Sequence, residues 1–158
     1  MAGQLIPGMQ KLGSYSSIAA SAEVSCGILN CNNIRTATLS CRGTYNASAT
    51  TAATVNLYYS PDGEFYDTVP FTSFLVNLAS GVVQESAIID LPEAGFIQVK
   101  ISNGDATYAF TSVELKSTVA RYGDTYVEGD KVVRLLTEIS KELAEMRRII
   151  PIEYNIQA

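Results

Sequence analysis

From residue 34 to about residue 121 the chain is written largely in period two. Ala37, Leu39, Cys41 and Tyr45 alternate with Thr36, Thr38, Ser40 and Arg42. Val55, Leu57 and Tyr59 alternate with Asn56, Tyr58 and Ser60, and Ile97, Val99 and Ile101 with Gln98, Lys100 and Ser102. Phe71, Phe74, Val76 and Leu78 form a less regular run. Residues 82–91 form another between Gly81 and Pro92, and Ala109, Thr111, Val113, Leu115 and Val119 form the last. Side chains along an extended chain point to opposite faces in turn, so such alternation makes strands with one buried and one wet face. Turn residues punctuate the runs, and no helical period lies between them. Parallel strands need long crossovers, usually helical, so a parallel α/β sheet is excluded. The pattern specifies an all-β fold of about six to eight antiparallel strands, sandwich or barrel. The sandwich is the expectation, because the core strands suffice for two small sheets.

The ends read differently. Residues 1–32 are small and polar, with loop signals at Pro7-Gly8 and Gly13-Ser14. They read as an N-terminal arm, with one short strand at residues 18–24. The sandwich is expected over 33–121, a polar linker over 122–129, a helix over 130–150 and an extended tail over 151–158. In the helix, Val132, Leu136, Ile139, Leu143, Met146 and Ile150 follow one another in alternating steps of four and three. Those steps build a heptad seam. Gly129-Asp130 supplies an N-cap, Arg147 and Arg148 suit the negative end of the helix dipole, and Pro151 stops the helix. Asp130 with Arg134 and Lys141 with Glu145 stand at i,i+4 and add modest support. Two readings of the stripe stand: it docks on its own sandwich, or it packs against other copies or a neighbouring subunit. Val133 and Leu135 widen it beyond a strict seam, which suits a bundle larger than a dimer or burial on both sides.

Composition narrows the function. Hydrophobic residues make up 47% of the 158, enough for a packed core. There is no histidine, which removes the usual general base near neutral pH and the commonest transition-metal ligand. A Ser-His-Asp or Cys-His site is therefore excluded within this chain. Cys26, Cys31 and Cys41 are too few for a four-ligand zinc site and odd in number for a complete disulfide framework. They read as reduced thiols in or beside strands, with a Cys26–Cys31 bridge as the alternative in an oxidising setting. The net charge of −5 provides no basic stripe for a nucleic-acid backbone. No stretch approaches the ~20 apolar residues that span a bilayer. Residues 1–13 lack the charged start and apolar run of a signal peptide, so synthesis in the cytoplasm is expected.

The run Leu57-Tyr58-Tyr59-Ser60-Pro61-Asp62-Gly63-Glu64-Phe65-Tyr66-Asp67-Thr68 holds strand, turn and aromatic return within a dozen residues. Pro61 presets φ, Asp62 tolerates the next position and Gly63 accepts positive φ, so a β-hairpin is expected. Carboxylates and aromatics gather here, and Tyr58, Asp62, Tyr66 and Asp67 are the candidate surface ligand site. The competing explanation places alternate aromatics in the core and the rest in cross-strand pairs. Turn chemistry accounts for Asp62 and Asp105, the hairpin does not match a calcium-binding EF-hand loop, and the chain has no tryptophan for sugar stacking. No catalytic residue, metal or cofactor is expected.

One resemblance adds to this. Arg42-Gly43-Thr44-Tyr45, then Val55-Asn56-Leu57-Tyr58-Tyr59-Ser60-Pro61-Asp62-Gly63, then Tyr66-Asp67-Thr68, with Phe96-Ile97-Gln98-Val99-Lys100 and Asn103-Gly104-Asp105 downstream, resembles small virion structural proteins of tailed bacteriophages, of decoration, accessory or neck type. The resemblance covers residues 34 to 120 and extends loosely to the terminal helix. It implies a β-sandwich followed by a short helix, and a non-enzymatic virion protein. Such a protein would form a homo-oligomer, trimer or larger, on the capsid or at the head–tail junction. Its partners would be other virion proteins such as major capsid or connector proteins, with no nucleic acid and no membrane. Val132, Leu136, Ile139, Leu143, Met146 and Ile150 are the expected interface. Ser-Pro-Asp-Gly hairpins also occur in sugar-binding sandwiches, so the alternative is a carbohydrate-binding module of a surface or host-recognition appendage.

Overall fold

The computed structural model describes residues 9–121 and 133–147, and the chain divides into two compact units, Met1–Arg121 and Tyr122–Ala158. The first unit carries eight strands: β1 (Met9–Ile18), β2 (Glu23–Asn30), β3 (Ile34–Tyr45), β4 (Ala53–Ser60), β5 (Thr72–Val76), β6 (Gly81–Asp90), β7 (Phe96–Asn103) and β8 (Phe110–Arg121). They form two four-stranded sheets, sheet A in the order β1-β8-β3-β6 and sheet B in the order β2-β7-β4-β5. All pairings are antiparallel. The pairs nest: β4 with β5, β3 with β6, β2 with β7 and β1 with β8. The chain thus doubles back once, at the β4–β5 connection, and the doubled ribbon rolls into two facing sheets. That topology is the jelly roll, and it settles the sandwich against the barrel.

The inward residues of the alternating runs form the core. Leu39, Leu57, Ile97, Ile101, Phe110 and Leu115 are fully buried, and each such side chain contributes about 1.5–3 kcal/mol relative to exposure. Tyr45 joins the sheets. Its ring stacks on Phe110 at 4.5 Å between centroids. Its hydroxyl donates to the Val76 carbonyl at 2.6 Å and accepts from the Ala53 N–H at 2.7 Å. Gly43 makes room for this stack, since a Cβ there would stand 2.2 Å from Phe110 Cζ.

Most of the expected arm is sandwich. Residues 9–30 supply β1 and β2, which pair with β8 and β7 and bury Leu12, Ile18 and Leu29. The single strand expected at 18–24 is instead the end of β1, a turn over residues 19–22 with Ser21 at φ 57°, and the start of β2. Both strands carry register shifts, at Lys11/Gly13 and Ser25/Ile28, which break the alternation. Residues 1–8, the linker and the tail lie outside the described residues.

In the second unit residues 133–147 are helical, and every described side chain there is exposed. Thr137 Oγ1 donates to the Val133 carbonyl at 2.8 Å. Among the described residues the three ion pairs all lie on the sheets, so the expected Lys141–Glu145 pair is not closed.

Candidate functional site

The β4–β5 connection is longer than a tight hairpin. The chain leaves β4 at Ser60 and regains strand pairing at Thr72, opposite Leu57. Along the way the Asp67 N–H donates to the Tyr59 carbonyl at 2.8 Å, and the Phe71 N–H to the Leu57 carbonyl at 2.7 Å. The return therefore follows β4 loosely, with residues 68–70 looped out between two anchors.

The turn consumes Asp62. Its Oδ1 accepts from the Glu64 N–H at 2.9 Å, the Phe65 N–H at 3.2 Å and Ser60 Oγ at 2.9 Å. The Gly63 N–H donates to Ser60 Oγ at 2.8 Å, and Gly63 sits at φ +82°. The backbone N–H of Glu64, followed by that of Phe65, holds the Asp62 carboxyl below its ordinary range. Through Oδ1 the carboxylate fixes the corner.

The other candidate residues have separate surroundings. Tyr58 lies on the outer face of sheet B with Lys100 Nζ 5.0 Å from its ring centroid. Lys100 also pairs with Glu23 at 3.4 Å, and Glu23 accepts from Ser102 at 2.6 Å. The Tyr58 ring is thus covered by a lysine held in a polar network. The Tyr66 hydroxyl is buried without a partner among the described residues, and Asp67 is exposed. No hydrogen bond joins Tyr58, Asp62, Tyr66 and Asp67 to one another among the described residues. The aromatics split. Tyr59 and Phe74 pack against the core, whereas Phe65 and Phe71 are exposed, so the expectation of core or cross-strand placement fails at those two.

The helix carries a continuous apolar surface. Leu136, Ile139, Leu143 and Met146 are 59%, 51%, 56% and 57% exposed, and Val133 and Leu135 flank them at 61% and 57%. Val132 and Ile150 of the expected seam lie outside the described residues.

A surface not singled out from the sequence lies on the outer face of sheet A. Arg42 stands opposite Gln84 of β6 and Glu114 of β8, and Ser40 opposite Ser86 and Lys116. Thr38, Ser40, Arg42, Gln84, Glu114 and Lys116 line a hollow of about 250 Å³. Glu114 pairs with Lys11 at 3.2 Å and Lys116 at 3.3 Å, and the lysines, Lys11 foremost, hold its carboxyl below its ordinary range. Thr38, Ser40 and Arg42 were visible as wet positions of one strand, but only strand order brings them beside Gln84, Glu114 and Lys116.

The three cysteines are free thiols: Cys26 in β2, Cys41 in β3 and Cys31 just beyond β2. Burial pushes Cys41 up to about 12 and Cys26 up to about 11, and raises Cys31 as well. Such thiols stay protonated at neutral pH and are poor nucleophiles.

No family model matches the chain, and no curated protein does. Several solved structures are similar in fold. A CBM4 structure is 12% identical, with 72% of this chain and 76% of that chain covered and a TM-score of 0.44. A family 16 carbohydrate-binding module is 11% identical, with 66% and 72% covered and a TM-score of 0.40. The infectious bursal disease virus structure, Gx strain, is 9% identical, with 73% of this chain and 32% of that chain covered and a TM-score of 0.45. At such identities a likeness speaks of fold alone.

Proposed function

We propose that this chain is a non-enzymatic structural protein of a phage particle, working as a homo-oligomer, trimer or larger, on the capsid or at the head–tail junction. The observation that carries the reading is the exposed apolar stripe of the 133–147 helix. An isolated helix of this length is marginal in water, and most helical stability in proteins comes from packing an apolar face. Heptad steps match that face to a copy of itself.

Magnitudes favour a bundle with help from elsewhere. Half-exposed Leu, Ile and Met side chains gain about 1 kcal/mol each on full burial, so four contribute roughly 4 kcal/mol per copy. Association costs an estimated 4–15 kcal/mol. A dimer seam alone stands near break-even. A wider bundle that also buries Val133 and Leu135, or a second contact between copies, takes the balance clear of it.

The jelly roll supplies the rigid body, with Tyr45 and Phe110 in its core and Asp62 and Asp105 fixing its turns. The test is sedimentation of the purified chain beside Leu136→Asp and Leu143→Asp, together with incorporation of each into particles.

A second reading, a carbohydrate-binding module, has one observation in its favour: the polar hollow across sheet A, lined by hydroxyl, amide and charged groups. Glycan titration of the wild-type chain and Arg42→Ala tests it. Saturable binding lost in that variant would favour this second reading.

A further inference from the structure

We propose that the free edge of β6 receives, by strand addition, the C-terminal segment 152–157 of a neighbouring copy. The proposal rests on the homo-oligomer reading above and names its second contact.

Strand β6 lies at the margin of sheet A and is paired on one side only, with β3, in ten consecutive residue pairs without a register shift. The other margins are blunted. β1 carries Lys11 and a bulge at Lys11/Gly13, β2 a bulge at Ser25/Ile28, and β5 is only five residues long. β6 has no proline, lysine, arginine or bulge, and of the charged residues that protect an edge it carries Glu85, which accepts a hydrogen bond from Asn77 Nδ2 at 2.9 Å, and Asp90 at its end. Its outward face instead presents Val82 and Ile88 at 62% and 76% exposure. Beside its far end, Phe71, Thr72, Ile88, Ile89 and Asp90 line a hollow of about 310 Å³, and Phe71 is itself half exposed.

A long edge of unbroken register, with Val82 and Ile88 exposed on its outward face, calls for an extended partner. Residues 152–157, outside the described residues, have a sequence suited to that role. Directly after Pro151, Ile152, Tyr154 and Ile156 alternate with Glu153, Asn155 and Gln157. That is the strand period, with β-favouring residues on one face and polar ones on the other. Main-chain hydrogen bonds provide the affinity in such additions, and alternate side chains provide the specificity. A second β6 is a poorer occupant. The two-fold antiparallel register that sets Val82 opposite Ile88 also sets Glu85 opposite Glu85. Like charges directly opposed are destabilising. Centring on Ser86 instead sets Val82 opposite Asp90 and loses the apolar pair.

The test uses the full chain. Protein carrying Ile88→Cys is mixed with protein carrying Ile156→Cys and oxidised, with oxidised wild type setting the background of the native thiols. The expected result is an interchain disulfide joining the two introduced positions, read by non-reducing electrophoresis and peptide mass spectrometry. In parallel, amides of residues 82–90 are expected to exchange about tenfold faster in Tyr154→Pro than in wild type. A chain carrying both substitutions is oxidised in parallel, and a link formed within it while the mixture forms none would overturn the exchange between copies. No link, with equal amide exchange, would overturn strand addition altogether. Sedimentation of the same samples separates the two claims: an oligomeric wild type with an unprotected β6 sinks this proposal alone, and a monomeric wild type sinks the homo-oligomer reading beneath it.

Discussion

The Oδ2 atom of Asp105 accepts a hydrogen bond from the backbone N–H of Thr50 at 2.7 Å, across 55 positions of sequence. The same oxygen accepts from the Thr51 N–H at 3.2 Å, while Oδ1 accepts from the N–H groups of Thr107 and Tyr108 at 2.9 and 2.8 Å. The Asp105 carbonyl takes the Ser21 N–H at 2.9 Å. Asn103 completes the corner, donating from Nδ2 to the carbonyls of Ile18, Ala19 and Tyr108. One Asn-Gly-Asp turn, with Asn103 and Asp105 buried, thus fastens the β1–β2, β3–β4 and β7–β8 connections at one end of the roll.

This corner makes acid stability depend on Asp105. The backbone N–H of Thr50, then those of Tyr108 and Thr107, hold its carboxyl well below the usual carboxylate range. A carboxyl depressed in the folded state contributes stability that is complete above its unfolded value, about 3.9, and is lost as pH falls through the folded value. Asp105→Asn is expected to be less stable than wild type at pH 7 and to lose less stability on acidification. Urea unfolding at pH 7 and pH 3 checks this. Parallel pH profiles would contradict it.

Tyr45→Phe removes one hydroxyl and strands two buried backbone groups, the Ala53 N–H and the Val76 carbonyl. The ring stack on Phe110 remains possible. The expected loss is about 1–3 kcal/mol in urea unfolding, with an unchanged m-value. A loss well under 1 kcal/mol would mean that water replaces the hydroxyl.

Gly43→Ala places a methyl inside the Phe110 ring, with the built Cβ 2.2 Å from Cζ. Overpacking of this kind costs about 1–3 kcal/mol. Phe110→Leu should relieve part of it, so the double variant is expected to be more stable than the sum of the two single losses. Additive losses in a double-mutant cycle would show that the strain lies elsewhere.

The aromatic surface of the β4–β5 connection is expected to bind no glycan. Lys100 covers the Tyr58 ring and Asp62 is spent on its own turn. Array screening and calorimetry check this, and saturable binding abolished by Tyr58→Ala or Tyr66→Ala would contradict it.

Much of the body of the roll was legible in the residues. The alternation in β3, β4 and β7 places Leu39, Leu57, Val99 and Ile101 inward as the structure does. β1 and β2 were not legible, and the reason is local. Gly13 and Gly27 sit at the bulges, where a Cβ would crowd Cys26 or Leu12, so small residues occupy positions that a regular strand would fill with large ones. Strand order was not legible either, because pairings such as Arg42 with Gln84 and Glu114 join segments far apart in sequence. The Asp105 corner escaped for the same cause: Asn-Gly-Asp announces a turn, but nothing near it in sequence announces Thr50. The helical stripe could be read directly, since its heptad steps are local.

The most direct test of the central claim is sedimentation velocity on the full chain beside Leu136→Asp and Leu143→Asp. Wild type is expected to sediment as a trimer or larger species. Each variant is expected to shift towards monomer while keeping the β-sheet circular dichroism and unfolding transition of the sandwich. A monomeric wild type, or variants that sediment like an oligomeric wild type, would contradict the account.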